Sequence, residues 1–497
     1  MIRRVLIVGG GSAGFLAALA LKTRLPELDV RVVRSKEIGI IGVGEGSTPA
    51  LTRFLHEYLA ITPGRFFEVA RPTWKLGLRF LWGPRTYFNY SFNQAQLSGR
   101  IKGLRKAKAF YCWDEMAYED PISALMTEDR AFERMPNRQP ALHGSVAYHF
   151  ENEKFVTFLE EAAAALGVTI LDETIVEVKL GNGGVAGLRL ESGSEEVADL
   201  YIDASGFGSL LLGKALAEPF LSFDRTLFCD RAVVGGWDRS EAGEQVIKPY
   251  TTCETMEAGW CWQIEHENRI NRGYVYSSSF VTEEAAEKEF REKNPKVKAT
   301  RVVHFTSGRY QRLWVKNVVA VGNAGGFVEP LEATALGAIA FQCRTLADTL
   351  ADSEGEPTPL LQHRFNDLHG RAWDEIRNFL SIHYRFNTRL DTAFWRQCRE
   401  TVELGGAEAV LEMYRDCGPT LWMEEVIDRA NQFGLAGYFA LLTGQKVPHG
   451  RIYQPSSEER AKWNAERERS RQMASRGVTV NEALSVVRSP QWRWRSG

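Results

Sequence analysis

The chain of 497 residues carries 61 Lys+Arg against 63 Asp+Glu, a formal charge of -2, with 44% hydrophobic and 11% aromatic residues. That balance gives no field for nucleic acid or an acidic surface, and the composition excludes a disordered, collagen-like or coiled-coil chain. At roughly 150 residues per domain the length suits about three domains, or one large one with additions.

Residues 4–8 form a short β-branched run, residues 9–14 a glycine turn, residues up to 21 an apolar helix and residues 30–33 a second strand. This is a βαβ unit whose turn, Gly9-Gly10-Gly11-Ser12-Ala13-Gly14, has G-x-G-x-x-G spacing. Small residues there permit a tight turn and close approach to a pyrophosphate, and the helix N-terminus offers amides to the anion. Gly9, Gly11, Ser12, Ala13 and Gly14 are therefore candidate cofactor-binding residues. The N-terminal apolar run superficially resembles a secretory leader, but its glycines and the lack of a small-residue cleavage site argue for structure. No other stretch reaches about 18 unbroken apolar residues, so no transmembrane helix is expected.

NAD and FAD share the glycine fingerprint. Two later segments discriminate: residues 200–206, ending a strand in Asp203 and Gly206, and residues 318–326, ending one near Gly322. Strands returning so late to one sheet suit FAD, an elongated cofactor lying along a domain built from distant pieces. With no second fingerprint for NADPH, reduced flavin is expected from a separate reductase.

Residues 150–166 read as an amphipathic helix, followed by strands near 168–171 and 175–180. From residue 341 onward the pattern is helical, over 341–351, 360–384, 391–404 and 407–415, and the charged stretch 457–471 reads as a solvated helix. The expected fold is α/β, a single large Rossmann-type flavin-binding unit with a mostly helical C-terminal region. Residues 1–345 are assigned to the flavin module, with substrate-side insertions at about 50–150 and 220–300, and residues 346–497 to the helical part completing the substrate chamber. Seven widely spread cysteines without a C-x-x-C pair point to reduced thiols and the cytoplasm, and no metal-ligand spacing is present.

Four further motifs, in order, resemble the flavin-dependent halogenases related to the tryptophan halogenases, within the larger flavoprotein monooxygenase superfamily. Gly42-Val43-Gly44-Glu45-Gly46-Ser47-Thr48-Pro49 resembles the strap linking flavin and substrate chambers, and Trp74-Lys75-Leu76-Gly77 the segment with the catalytic lysine. Gly259-Trp260-Cys261-Trp262-Gln263-Ile264 resembles the W-x-W-x-I-P signature, with Glu265 in place of proline. Phe327-Val328-Glu329-Pro330-Leu331-Glu332-Ala333-Thr334 resembles the glutamate and halide segment, and His383-Tyr384 to Phe394-Trp395 is a lesser echo.

The resemblance implies that reduced FAD, dioxygen and chloride or bromide yield hypohalous acid, which Lys75 hydrogen-bonds or captures and directs onto an electron-rich, indole-type aromatic. Glu332 would polarise the halogen donor or accept the ring proton. Backbone amides of Thr334 and Ala335 would hold the halide, while Gly42, Glu45, Asp203, Gly322 and Phe327 would contact flavin, and Trp260 and Trp262 would stand beside it. Without the motif Lys75 reads as a snorkelling surface cation, Glu332 as an ion-pair carboxylate, and the two tryptophans as core residues sharing one strand face. The aromatic set that would grip free tryptophan is missing from residues 87–92 and 431–438, which favours a substrate without a zwitterionic head or a larger aromatic. Halide-independent aromatic hydroxylation and a non-catalytic flavin-binding role are the alternatives, and a homodimer is a family-level expectation.

Overall fold

The computed structural model describes residues 1–37, 39, 44–93, 95–99, 101–142, 146–450 and 453–494. The predicted first strand, Arg4–Val8, lies inside a six-stranded sheet. It pairs in parallel with Asp29–Arg34 and Leu200–Asp203; Thr169–Asp172 extends one side, Val318–Ala320 and Trp314–Val315 the other. Only the last pair is antiparallel. Continuous apolar runs such as Val5 to Val8 are what strands covered on both faces require. The helix after the glycine turn, Ser12–Arg24, packs against Asn152–Ala165 and Ala335–Asp352, and every residue from Gly14 to Leu21 is buried.

A second sheet of seven strands runs Thr300–His304, Arg231–Asp238, Arg269–Tyr276, Gly259–Glu265, Tyr250–Met256, Gly77–Leu81 and Phe88–Ser91. Its one parallel contact, Tyr250–Met256 with Gly77–Leu81, ties the two predicted insertions together. A three-stranded sheet sets Ala147–Phe150 between Glu45–Gly46 and Thr73–Lys75. That small sheet places the strap and the lysine segment on either side of one strand.

The C-terminal region is helical as expected, with Pro359–Phe386, Ala393–Thr401, Ala407–Cys417 and Ser457–Ser475 close to the predicted spans. Ala335–Asp352 starts six residues before the predicted helix, at the end of the glutamate segment. The charged helix Ser457–Ser475 is only partly solvated, because Trp463 and Ala474 turn inward. The helix Gly434–Gly444 was not anticipated: it is buried on all sides and so lacks the polar face that a periodicity reading needs. None of the seven cysteines is in a disulfide. Among the described residues no helix is long and apolar enough to cross a membrane.

Candidate active site

A cavity of about 890 Å³ begins at the glycine turn, passes Arg34, Glu45 and Gly46, and ends at Trp262, Phe327 and the start of Ala335–Asp352. Gly9 has φ +117, and a Cβ there would collide with the Ala204 carbonyl oxygen. A Cβ on Gly14 would strike Gly9, whereas the space beside Gly11 is open. Gly9, Gly11, Ser12 and Ala13 line the cavity, and Gly14 packs the turn. An anion-receptive helix start leading into a long, mostly apolar cleft fits a dinucleotide flavin.

The other expected flavin contacts divide. Glu45 lines the cavity, accepts a hydrogen bond from Asn152 and is pushed up to about 7 by burial. Phe327 also lines it, edge to face with Phe207 at 4.9 Å. Asp203 faces away: its oxygens accept from the amides of Ser205, Leu211 and Leu212 and from the Ser205 hydroxyl, at 2.6–3.1 Å. It orders the loop whose residues 204–208 form the wall, a capping task that occupies the carboxylate. Gly322, with φ +65, is a packing glycine whose Cβ would lie 3.0 Å from Ala13. Gly42 lies outside the described residues. Arg34, at the strand end where a ribose-binding acid is usual, forms an ion pair with Glu160, and both side chains border the cavity.

Lys75 is fully buried, which excludes the snorkelling surface reading. Its Nζ donates to the Ser47 carbonyl at 3.0 Å and lies 5.2 Å from the centre of the Phe92 ring. Burial lowers it to about 8, opposed by the neighbouring Cys253 and Glu332. A Cβ on Gly46 would be 3.2 Å from Lys75 Nζ, 3.2 Å from Thr251 Oγ1 and 3.3 Å from His149 Cδ2. Since Gly46 and Thr251 line the cavity, the lysine stands directly behind its wall. Glu332 is 2% exposed, and its Oε1 hydrogen-bonds His383 Nε2 at 2.6 Å. Burial raises its carboxyl, while His383 and Lys75 pull it down. His383 lies on Pro359–Phe386 and was quoted in sequence only as an echo; nothing but the fold shows which side chain it meets.

Glu329, the neighbouring acid, is tied elsewhere. One of its oxygens accepts from Trp260 Nε1 at 2.7 Å and from the Tyr384 hydroxyl, and burial pushes it up to about 7. Trp260 is therefore a core residue held by Glu329, and it is Trp262 that borders the cavity, stacked over Gly273, its cross-strand neighbour. Their rings are 5.9 Å apart, as two residues on one face of a strand should be. Glu265, at the expected proline, forms a buried ion pair with Arg239 and accepts from Gln263 at 2.6 Å. Thr334 is buried and Ala335 opens the helix at the cavity wall, so the first-turn amides, which have no intrahelical partner, are at the right place for an anion. Ala333 turns the chain into that helix with φ 53.

A glycine-turn cleft with a buried lysine behind its wall at Gly46, and a buried glutamate held by a histidine among the charges acting on that lysine, suits a flavin-dependent enzyme of the halogenase type. The tryptophan halogenase family model matches residues 4–460, and the chain belongs to that family. It is 32% identical over 468 residues to the tryptophan 7-halogenase KtzQ of Kutzneria sp. (strain 744), covering 87% of this chain and 85% of that one. With the tryptophan 7-halogenase RebH of Lentzea aerocolonigenes it shares 30% identity over 442 residues, 83% and 82% of the two chains. Among solved structures, MibH, described as a "lathipeptide tryptophan 5-halogenase", superposes with a TM-score of 0.90 at 39% identity, over 98% of this chain and 94% of that one. BrvH, a flavin-dependent halogenase from Brevundimonas sp. BAL3, gives 0.86 at 27% over 98% and 99%. The chain is a flavin-dependent halogenase.

Proposed function

We propose that this enzyme halogenates the indole ring of a tryptophan borne on a larger molecule, a peptide in particular, using chloride or bromide and flavin reduced by a separate reductase. Bound FAD supplies, with dioxygen, the oxidising power that turns halide into hypohalous acid. The first-turn amides at Thr334 and Ala335 hold the halide at the cavity wall. Lys75, whose amine loses its proton near pH 8, captures the halogen as it passes Gly46 and presents it to the ring. Glu332 accepts the proton released when the ring regains aromaticity, and His383 holds the carboxylate in place at 2.6 Å. The single observation carrying this reading is the buried Lys75 amine standing 3.2 Å from where a Cβ on the cavity-lining Gly46 would lie.

The size of the substrate rests on the loop before Gly434–Gly444. Asn431 is spent on Glu375 and on the amides of Phe433 and Gly434, and Phe433 stacks on Phe379 at 3.7 Å. Beside Gly434, with φ +60, no atom lies within 4 Å of where a Cβ would stand. An open wall beside polar groups already satisfied by the chain suits a bulky substrate better than a free amino acid, and the likeness to MibH agrees. The division into a flavin part over residues 1–345 and a helical part over 346–497, and the cytoplasm as the setting for seven cysteines outside any disulfide, belong to the same reading.

The test is mass spectrometry of products from L-tryptophan, indole and tryptophan-containing peptides, with FAD, a flavin reductase and NADH, in chloride, in bromide and without halide. A halogen isotope pattern, strongest on a peptide, is expected. Oxygen addition independent of halide would replace halogenation by hydroxylation, and preference for free tryptophan would overturn the substrate assignment.

A further inference from the structure

The Lys75 amine and the Thr251 hydroxyl each stand 3.2 Å from where a Cβ on Gly46 would lie, and two further buried reactive groups, the Glu332 carboxyl and the Cys253 thiol, belong to the same neighbourhood of the fold. Cys253 lies on Tyr250–Met256, two residues after Thr251 and therefore on the same strand face. Its Sγ–H donates to the carbonyl of Leu331, the residue before Glu332, at 3.8 Å. Burial holds the Cys253 thiol well above its ordinary range, Glu332 raising it further and Lys75 lowering it. The thiol is 0% exposed and in no disulfide, so a bulky thiol such as glutathione cannot reach it, whereas a small neutral oxidant arriving at Lys75 can. The mechanism has no use for it.

We propose that Cys253 is a self-modification site at which hypohalous acid, formed when no aromatic substrate is held, joins Cys253 to Lys75 through a sulfur–nitrogen bond. This rests on the function proposed above, which supplies the oxidant. In the first step sulfur attacks the halogen of HO–X: the S–X bond forms, the O–X bond breaks, and hydroxide leaves as water with the thiol proton. Sulfur is oxidised by two electrons and the halogen reduced. In the second step the neutral Lys75 amine displaces halide from sulfur, forming S–N and releasing the amine proton, with the nearby Glu332 carboxylate as an acceptor. The net change is the loss of two hydrogens and removal of the amine needed for halogen transfer, a lock that a thiol reductant small enough to enter can reverse. An enzyme turning over without substrate is thereby silenced before free oxidant escapes.

The holoenzyme is run with FAD, reductase, NADH, bromide and oxygen but no aromatic, then digested without reductant. The expected result is a joined pair of peptides containing Lys75 and Cys253, lighter than their sum by two hydrogens, absent without bromide and separated by dithiothreitol, with activity lost and regained in step. Cys253→Ala and Cys253→Ser should halogenate normally when substrate is present, yet keep activity through substrate-free turnover. Inactivation of either variant at the wild-type rate, or an inactivated wild type with the Cys253 and Lys75 peptides unjoined, overturns the proposal. A parallel run with a soluble β-diketone as halogen acceptor separates the two readings. A halogenated diketone beside unjoined peptides sinks this inference alone; an unhalogenated one in every run, with no halogenated peptide product, sinks the proposed function.

Discussion

The residue proposed to carry the halogen is also one the fold is worse off for burying. Lys75 loses most of its hydration and gains one carbonyl hydrogen bond, so its amine ionises near pH 8 instead of 10.5. A depressed lysine destabilises the folded state fully below its folded value, and the penalty fades as pH rises from 8 to 10.5, where the unfolded chain sheds the same proton. At about 1.4 kcal/mol per pH unit the penalty is about 3 kcal/mol, offset by about 1 for the hydrogen bond. Lys75→Met should therefore be more stable than wild type by about 2 kcal/mol at pH 7, with the advantage gone by pH 10.5; urea unfolding at the two pH values checks it. Activity runs the other way. Halogen capture needs the neutral amine, so the rate should climb as pH approaches 8, and Lys75→Arg, which stays charged, should lose about 100-fold or more despite its similar size. A variant retaining wild-type rates would refute capture at this position. Glu332→Gln should fall by a similar factor in kcat with KM little changed, since it removes the proton acceptor and leaves the shape of the chamber.

At the scale of elements, the question is which segments shape the substrate's entry. The turn before Gly434–Gly444 adjoins the chamber through two contacts. Phe433 stacks on Phe379, whose ring is 5.5 Å from that of His383, and a Cβ on Gly337 would lie 3.8 Å from Gln432. Gly434 occupies the left-handed region, where asparagine is the side chain best tolerated. Gly434→Asn should therefore fold and, by placing an amide in the open space, lower kcat/KM for a tryptophan-containing peptide more than for indole. Equal losses for both substrates would show that the opening is not the path of the larger one.

These elements also show what could be read without coordinates. The glycine turn and its flanking strand and helix were legible because spacing, apolar runs and φ-tolerant residues all act locally. So were the long helices such as Pro359–Phe386, whose apolar face repeats. Gly434–Gly444 was not, since a helix buried all round carries no period. Neither was the split of the two tryptophans into a core residue and a wall residue. Alternation sets Trp260 and Trp262 on one face, but only the long-range partners, Glu329 for one and Gly273 for the other, decide what each touches. Asp203 misled for the same reason: a strand-end acid reads as a cofactor ligand until its loop folds back to claim it.

For the whole molecule, the six-stranded sheet carries the flavin cleft, the seven-stranded sheet carries Trp262, Thr251 and Cys253, and the small sheet of strap and lysine strands joins them. The meeting point is Gly46, which lines the cavity on one side and on the other leaves 3.2 Å between an added Cβ and the Lys75 amine. A methyl group there is tight but tolerable, because the lysine is flexible. The branched side chain of valine must fill the gap between cleft and amine, where Thr251 and His149 also close in. The glycine turn proposed to hold the cofactor is far along the cavity and untouched. Gly46→Val should thus bind FAD as wild type does and consume NADH and oxygen at a comparable rate, while halogenated product falls and hydrogen peroxide rises to account for the oxygen used. Measuring peroxide and product against NADH in one reaction reads this coupling directly. If halogenation stayed proportional to NADH, the oxidant would be reaching Lys75 by a route that does not pass Gly46. If FAD binding were lost as well, the strap would be part of the cofactor's seat and the two chambers would not be separable at this residue.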